Sequence, residues 1–162
     1  MRVLKLDRSD RGATLVEFAI VLPLLTLMLL GIIDAARLVA ANNSVRTVSR
    51  EAARYGSAVG DNGSGTLQFV DCAGIRSAGL ALSSTTDLSP ADIVVTYDSG
   101  PSTVALATCP VGGPDPDPSV IAHGHRIVVT TSTAFQPITP LVGEFFNGIT
   151  VSSTDRRSIL SP

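Results

Sequence analysis

The chain has 162 residues, a net charge of −2 and only 16% charged residues, room for one domain with an anchor. That charge argues against a nucleic-acid partner, since phosphate binding needs a cationic surface. Aromatic residues make up 4% and there is no Trp, which removes the stacking platforms that single strands require.

The dominant feature in chain order is Ala13 to Ile33, a run of 21 residues with one charge, Glu17, and one proline, Pro23. At ~1.5 Å per residue it reaches ~32 Å as a helix, matching a hydrocarbon core of ~30 Å. A transmembrane helix over 13–33 is therefore expected. Pro23 is expected to kink it rather than end it, because neighbours in lipid satisfy the carbonyl that proline frees. A buried core helix is the alternative, but the remaining sequence has no comparably apolar surface to enclose it. A conventional signal peptide cut at Val39-Ala40-Ala41 competes as well. Against it stand the length of the run, Glu17 inside it, and Asp34 and Arg37 before the cut. Basic residues flank both ends, so the positive-inside bias is weak. Both cysteines, Cys72 and Cys109, follow the span. With the N-terminus in the cytoplasm they meet an oxidising compartment, and a disulfide between them is expected. Two unrelated buried thiols are the alternative.

The start of the run carries the most specific signal. Arg11-Gly12-Ala13-Thr14-Leu15-Val16-Glu17-Phe18 ends a short basic leader in Gly, with a glutamate five residues beyond. This resembles the processing site of type IV-like prepilins. The resemblance implies a cut between Gly12 and Ala13 by a membrane aspartyl peptidase, leaving 150 residues with the anchor retained. The stretch to Leu25, then Gly31 to Arg37 and Ser49-Arg50-Glu51-Ala52-Ala53-Arg54-Tyr55-Gly56, resembles the TadE family. Members are pseudopilin-like components of the tight-adherence system that assembles Flp pili. The resemblance covers about a third of the chain. It implies a non-enzymatic structural or assembly subunit of the bacterial inner membrane. Its partners would be the prepilin peptidase, other pilin-like subunits, the assembly platform and the lipid bilayer. It also implies that the new α-ammonium at Ala13 pairs with Glu17 of a neighbouring subunit, next to Phe18, during assembly. Physically, an ionised carboxylate costs ~2.5 kcal/mol or more at a span centre and less near its edge, so a partner is welcome. The alternative is a glutamate tolerated among headgroups without one.

From Asp34 to Tyr55 there is no Pro or Gly. Leu38, Ala41, Val45, Val48, Ala52 and Tyr55 recur at steps of three and four on one face. Arg46, Arg50 and Arg54 occupy another, read as a solvated face, with Glu51 in reach of Arg54. A stalk over 34–56 continuous with the span is expected, giving a helix of ~60 Å. Residues 57–66 read as a flexible link within an extracytoplasmic region over 57–162. A short helix after Asp71 is expected to face inward with Ile75, Ala78, Gly79 and Leu82. Three runs alternate like strands: Ile93/Val95/Tyr97, Ile127/Val129/Thr131 and Ile149/Val151. Ser and Thr opposite them give the sheet one wet side. The fold class expected is α+β, a long N-terminal helix on a small, mostly antiparallel sheet with one additional short helix, which is pilin-like.

Elsewhere the residues carry little chemistry. Gly112 to Ser119, with Asp115 and Asp117 between prolines, lacks the oxygen count of a calcium site and reads as a surface loop. His123 and His125 have no third histidine to make a metal site and read as solvent-facing. Leu141 to Phe146 reads as local core. No catalytic motif appears, and no metal or cofactor is expected. A membrane-tethered extracytoplasmic binding module with no role in pilus assembly is the second functional class, and a tethered hydrolase the third. A mere tether needs neither Gly12 nor Glu17.

Overall fold

The computed structural model describes residues 8–83, 86–139 and 148–160, with side chains from 12 onward. Helix α1 spans Arg8–Gly56 and continues through Pro23. Helix α2 spans Cys72–Leu80, and the strands are β1 Ile93–Asp98, β2 Ala107–Cys109, β3 Arg126–Ala134 and β4 Thr150–Ser158. The chain divides into two compact units, one of residues 1–37 with 136–147, the other of 38–135 with 148–162.

The second unit holds the α+β fold. Its strands form one antiparallel sheet in the order β2-β1-β3-β4. Register pairs Ile93 with Thr131, Val95 with Val129 and Tyr97 with Ile127. All six side chains are fully buried on one face, as alternation requires. The opposite face is wet. There Arg126 forks onto Asp98 at 2.7 and 2.9 Å, and the Thr130 and Thr154 hydroxyls bond at 2.9 Å. The stalk part of α1 supplies Val48, Ala52 and Ala53 to the dry side, and α2 supplies Ile75. Val45 belongs to a smaller cluster with Phe135 and Val151. Arg46, Arg50 and Arg54 are exposed, and Arg54 donates to Glu51. The expected α1 face is thus the observed one.

Three local readings are corrected. First, α2 buries Cys72, Ile75, Arg76 and Gly79, while Leu82 lies past its end and is exposed. Arg76 goes inward because carbonyls at the strand and helix ends need donors. Its Nε donates to Ile93 at 3.2 Å, Nη1 to Cys72 at 3.2 Å, and Nη2 to Cys109. Second, residues 57–66 are not a plain flexible link. The Asn62 side-chain oxygen accepts from the N–H of Ser64 at 3.0 Å, and its amide donates to Asp71 at 2.8 Å. Asn closes such turns locally. Asp71 in turn caps α2, accepting from Gly74 N–H at 2.8 Å. Third, His125 is half-buried before β3, its Nδ1 accepting from Ala122 N–H at 3.0 Å, while His123 is exposed. β2 and the long polar part of β4 add to the three expected runs. The cluster Leu141 to Phe146 lies outside the described residues.

Close approach of α2 to the stalk depends on Gly79. A Cβ there would stand 3.0 Å from the Val48 carbonyl oxygen and 3.1 Å from the Ala52 Cβ. A backbone oxygen cannot step aside, so the helices would have to separate. Gly79→Val is expected to destabilise this unit by about 1–3 kcal/mol, the usual cost of overpacking. Thermal unfolding of the detergent-solubilised chain, followed by near-ultraviolet circular dichroism, reads it. An unchanged midpoint would show that the helix pair has slack.

Candidate functional site: the exposed apolar helix and its clamped end

From Gly12 to Leu29 every residue of α1 is exposed, whichever way it points. Leu15, Phe18 and Met28 show 60% or more of their surface. A helix apolar on all faces and left exposed has the character of a membrane span. α1 is long and apolar enough to cross a membrane, and its apolar window is unburied. This fits a single-pass anchor.

Gly12, Ala13, Glu17 and Phe18 occupy consecutive turns at the start of that exposed part. The Gly12–Ala13 bond is itself helical, since α1 begins at Arg8. Ala13 and Glu17 are four apart and so share a face. A Cβ at Gly12 would meet nothing within 4 Å. Among the described residues, packing therefore does not require glycine at this position.

Residues 12–54 match the model of the family described as TadE-like protein. The chain carries a TadE-like segment. The match opens at Gly12 and runs through Glu17, Phe18, Pro23, Asp34 and Glu51 to Arg54, nearly the end of α1. No curated protein and no solved structure matches. The TadE-like segment is therefore a helix, and the sheet with α2 lies beyond it.

At the far end of the anchor the TadE-like segment carries a site that periodicity did not mark. Asp34 is 4% exposed, while Ile33 and Ala35 beside it are exposed. Its Oδ1 accepts from the N–H of Ile138 and its Oδ2 from the N–H of Thr139, both at 2.9 Å. Arg37 Nη1 donates to Asp34 at 3.3 Å and to the Gln136 carbonyl at 3.2 Å. The Ile138 N–H, with Thr139 and Arg37 adding to it, holds the Asp34 carboxyl well below the usual carboxylate range, against the opposing effect of burial. No sequence rule pairs an aspartate with backbone donors about a hundred residues away. The sequence cues were its position next to the span and its place in the Gly31 to Arg37 stretch of the family resemblance, and neither names a partner.

Cys72 and Cys109 form a disulfide across a sequence separation of 37. It joins the first residue of α2 to the last of β2. Arg76 and Tyr97 crowd the same place. Tyr97 donates to the Phe69 carbonyl at 2.6 Å, and burial pushes its phenol far up. Asp115, from the proline-rich loop, accepts from Cys72 N–H at 3.0 Å. That loop therefore caps a helix, and among the described residues no three metal-ligating side chains gather. A cavity of about 440 Å³ lies against Cys72, Arg76, Leu80, Pro110 and Asp115. Its Arg76, Ser77 and Asp115 side chains are engaged with backbone groups of the chain.

Closing a loop of this length contributes about 4 kcal/mol in the chain-entropy model. Replacing both cysteines by Ala is expected to lower the stability of the second unit by up to that amount. In freshly quenched cells, a thiol reagent is expected to label the native chain only after reduction. Labelling without reductant would place these cysteines in a reducing compartment.

Proposed function

We propose that this chain is a membrane-anchored, pseudopilin-like structural or assembly subunit of a tight-adherence pilus or a related secretion machine. A prepilin peptidase cuts it between Gly12 and Ala13, and it acts as no enzyme. The observation that carries this reading is the register of the TadE-like match. It opens at Gly12 and includes the glutamate four residues after Ala13, on a helix with no cover of its own. Residues 1–12 are then the leader, 13–33 the span, 34–56 the stalk and 57–162 the extracytoplasmic region. The N-terminus faces the cytoplasm of a bacterial inner membrane.

The chemistry is consistent at each step. Peptide hydrolysis needs an extended strand in the peptidase cleft, so the helical turn around Gly12 must open. Glycine makes that opening cheaper by about 1 kcal/mol than alanine would. The cut replaces a neutral amide by an α-ammonium at Ala13. Within one helix the geometry allows that ammonium to approach its own Glu17, four residues on. Between packed helices it can reach the Glu17 of a neighbour. Either pairing reduces the cost of holding both charges near lipid. Partners are then other pilin-like subunits and the assembly platform, docked along the apolar helix.

Two measurements test this. The intact mass of the protein from cells with a working pilus system is expected to correspond to a chain beginning at Ala13. Gly12→Val is expected to retain the leader. A chain starting at Met1 in the wild type, or normal cutting of the variant, would sink the processing step. Glu17→Gln is expected to insert and be cut normally but to leave cells with few pili at matched protein levels. Undiminished piliation by electron microscopy would mean that Glu17 makes no assembly contact.

A further inference from the structure

We propose that the segment Gln136–Thr139 is a second membrane contact: the Asp34 clamp holds it at the bilayer interface, with Ile138 inserted at the headgroup–acyl boundary. The proposal rests on the reading of 13–33 as a span. If that span fills the hydrocarbon core, Asp34 lies one residue, ~1.5 Å, beyond its edge. Anything bonded to the Asp34 carboxylate is fixed at the same depth. The bonded groups are the N–H groups of Ile138 and Thr139, and Arg37 ties the Gln136 carbonyl to the same carboxylate.

Three features fit lipid as the occupant. Ile138 leaves 58% of its surface uncovered although its backbone is pinned. Pro137 and Pro140 bring no N–H, and Asp34 satisfies the N–H of both residues between them. An irregular backbone whose donors are met in this way can approach hydrocarbon, where unmet donors cost several kcal/mol each. Third, the arrangement accounts for a carboxylate at the end of the span. Asp34 is 4% exposed, and this segment gives it two backbone donors beside the Arg37 guanidinium. An uncovered carboxylate at that depth would draw water into the interface. Arg37, 45% exposed, is placed to extend its charge toward the headgroups. A lone helix is free to rotate about its axis in a bilayer. A lateral foot beside it removes that freedom and presents one defined face of the anchor to its neighbours.

The chain has no Trp, so a single introduced one is an unambiguous depth probe. Full-length Ile138→Trp is reconstituted in phosphatidylcholine vesicles containing lipids brominated either near the headgroup or deep in the acyl chain. Leu25→Trp, in mid-span, is the control. We expect blue-shifted emission from Trp at 138, quenched by the shallow bromine more than by the deep one, and weak quenching by aqueous acrylamide. The Leu25→Trp chain should be quenched by the deep bromine. Adding Asp34→Asn to Ile138→Trp should abolish the shallow quenching and restore access to acrylamide. If Trp at 138 responds to acrylamide alone while Trp at 25 is quenched by lipid, the span stands and this contact is overturned. If Trp at 25 is not quenched by lipid, the span itself is wrong. If Asp34→Asn leaves the lipid quenching unchanged, the clamp is not what holds the segment.

Discussion

Between Gly12 and Leu29 the helix offers apolar side chains in every direction, and every one of these residues is exposed. Burying one such side chain is worth roughly 1.5–3 kcal/mol, so the summed cost of leaving this stretch in water far exceeds the net stability of a domain. That constraint decides where the other features can stand. Pro23 lies inside α1 without ending it, as a membrane-type helix can accommodate where a freed carbonyl finds other partners. Charges are confined to the two ends, Glu17 near the start and Asp34 just past the finish. The character of α1 changes at that second end. Beyond it, exposure becomes one-sided: Val45, Val48 and Ala52 are buried while Arg46, Arg50 and Arg54 are exposed. The same continuous helix is thus exposed on all faces over one stretch and lies on a core over the next.

That core is small, and it is reinforced by groups other than apolar side chains. One helix stretch, one nine-residue helix and a four-stranded sheet share a handful of Val and Ile side chains. Cys72 and Cys109 fix α2 to β2 covalently, and Arg76 repeats the connection with hydrogen bonds to the carbonyls of Cys109 and Ile93. The guanidinium has no carboxylate ion pair among the described residues, and burial pushes its pKa down. Its charge is solvated by oriented carbonyl dipoles instead. Such an arrangement is costly to break, because removing the guanidinium would strand several buried acceptors at once. The aspartates at 71 and 115 meet the N–H groups of Gly74 and Cys72 at the first turn of α2, where free donors favour negative charge.

Much of this architecture was legible in the sequence, for periodic reasons. The apolar run, the stepping of Leu38, Ala41, Val45, Val48 and Ala52, the Asp71 start of α2 and the alternation at Ile93, Val95 and Tyr97 each repeat a local rule. What escaped was set by distant partners. Arg76 looks like a surface residue until the carbonyls of Ile93 and Cys109 are placed beside it. β2 is three residues long and owes its strand conformation to pairing with Val95, Thr96 and Tyr97. β4 runs through Ser152-Ser153-Thr154-Asp155-Arg156-Arg157, which has no apolar alternation, because Ser153 is satisfied by Ser49 at 3.1 Å rather than by burial among hydrocarbons. The order within 57–66 came from Asn62, whose side chain works as a piece of backbone. In the candidate site, the motif from Gly12 to Phe18 lies within the family match, whereas the Asp34 clamp was set by backbone donors about a hundred residues away.

The contrast between Glu17 and Asp34 carries the synthesis furthest. Both are carboxylates at an end of one apolar helix, and both face the same cost of desolvation. Asp34 meets it within the chain, through two backbone N–H groups and Arg37, and is thereby committed to a fixed structural bond. Glu17 stands exposed on the helix. A carboxylate whose need is met internally is not available for another molecule. One left exposed at the edge of lipid gains from any cation that arrives, and an α-ammonium created four residues away, on the same subunit or the next, is the nearest such cation that the proposed cut would supply. The helix therefore carries the same chemistry in two settings: at one end a carboxylate is bonded into the fold, and at the other one stands exposed, as the proposed assembly contact requires.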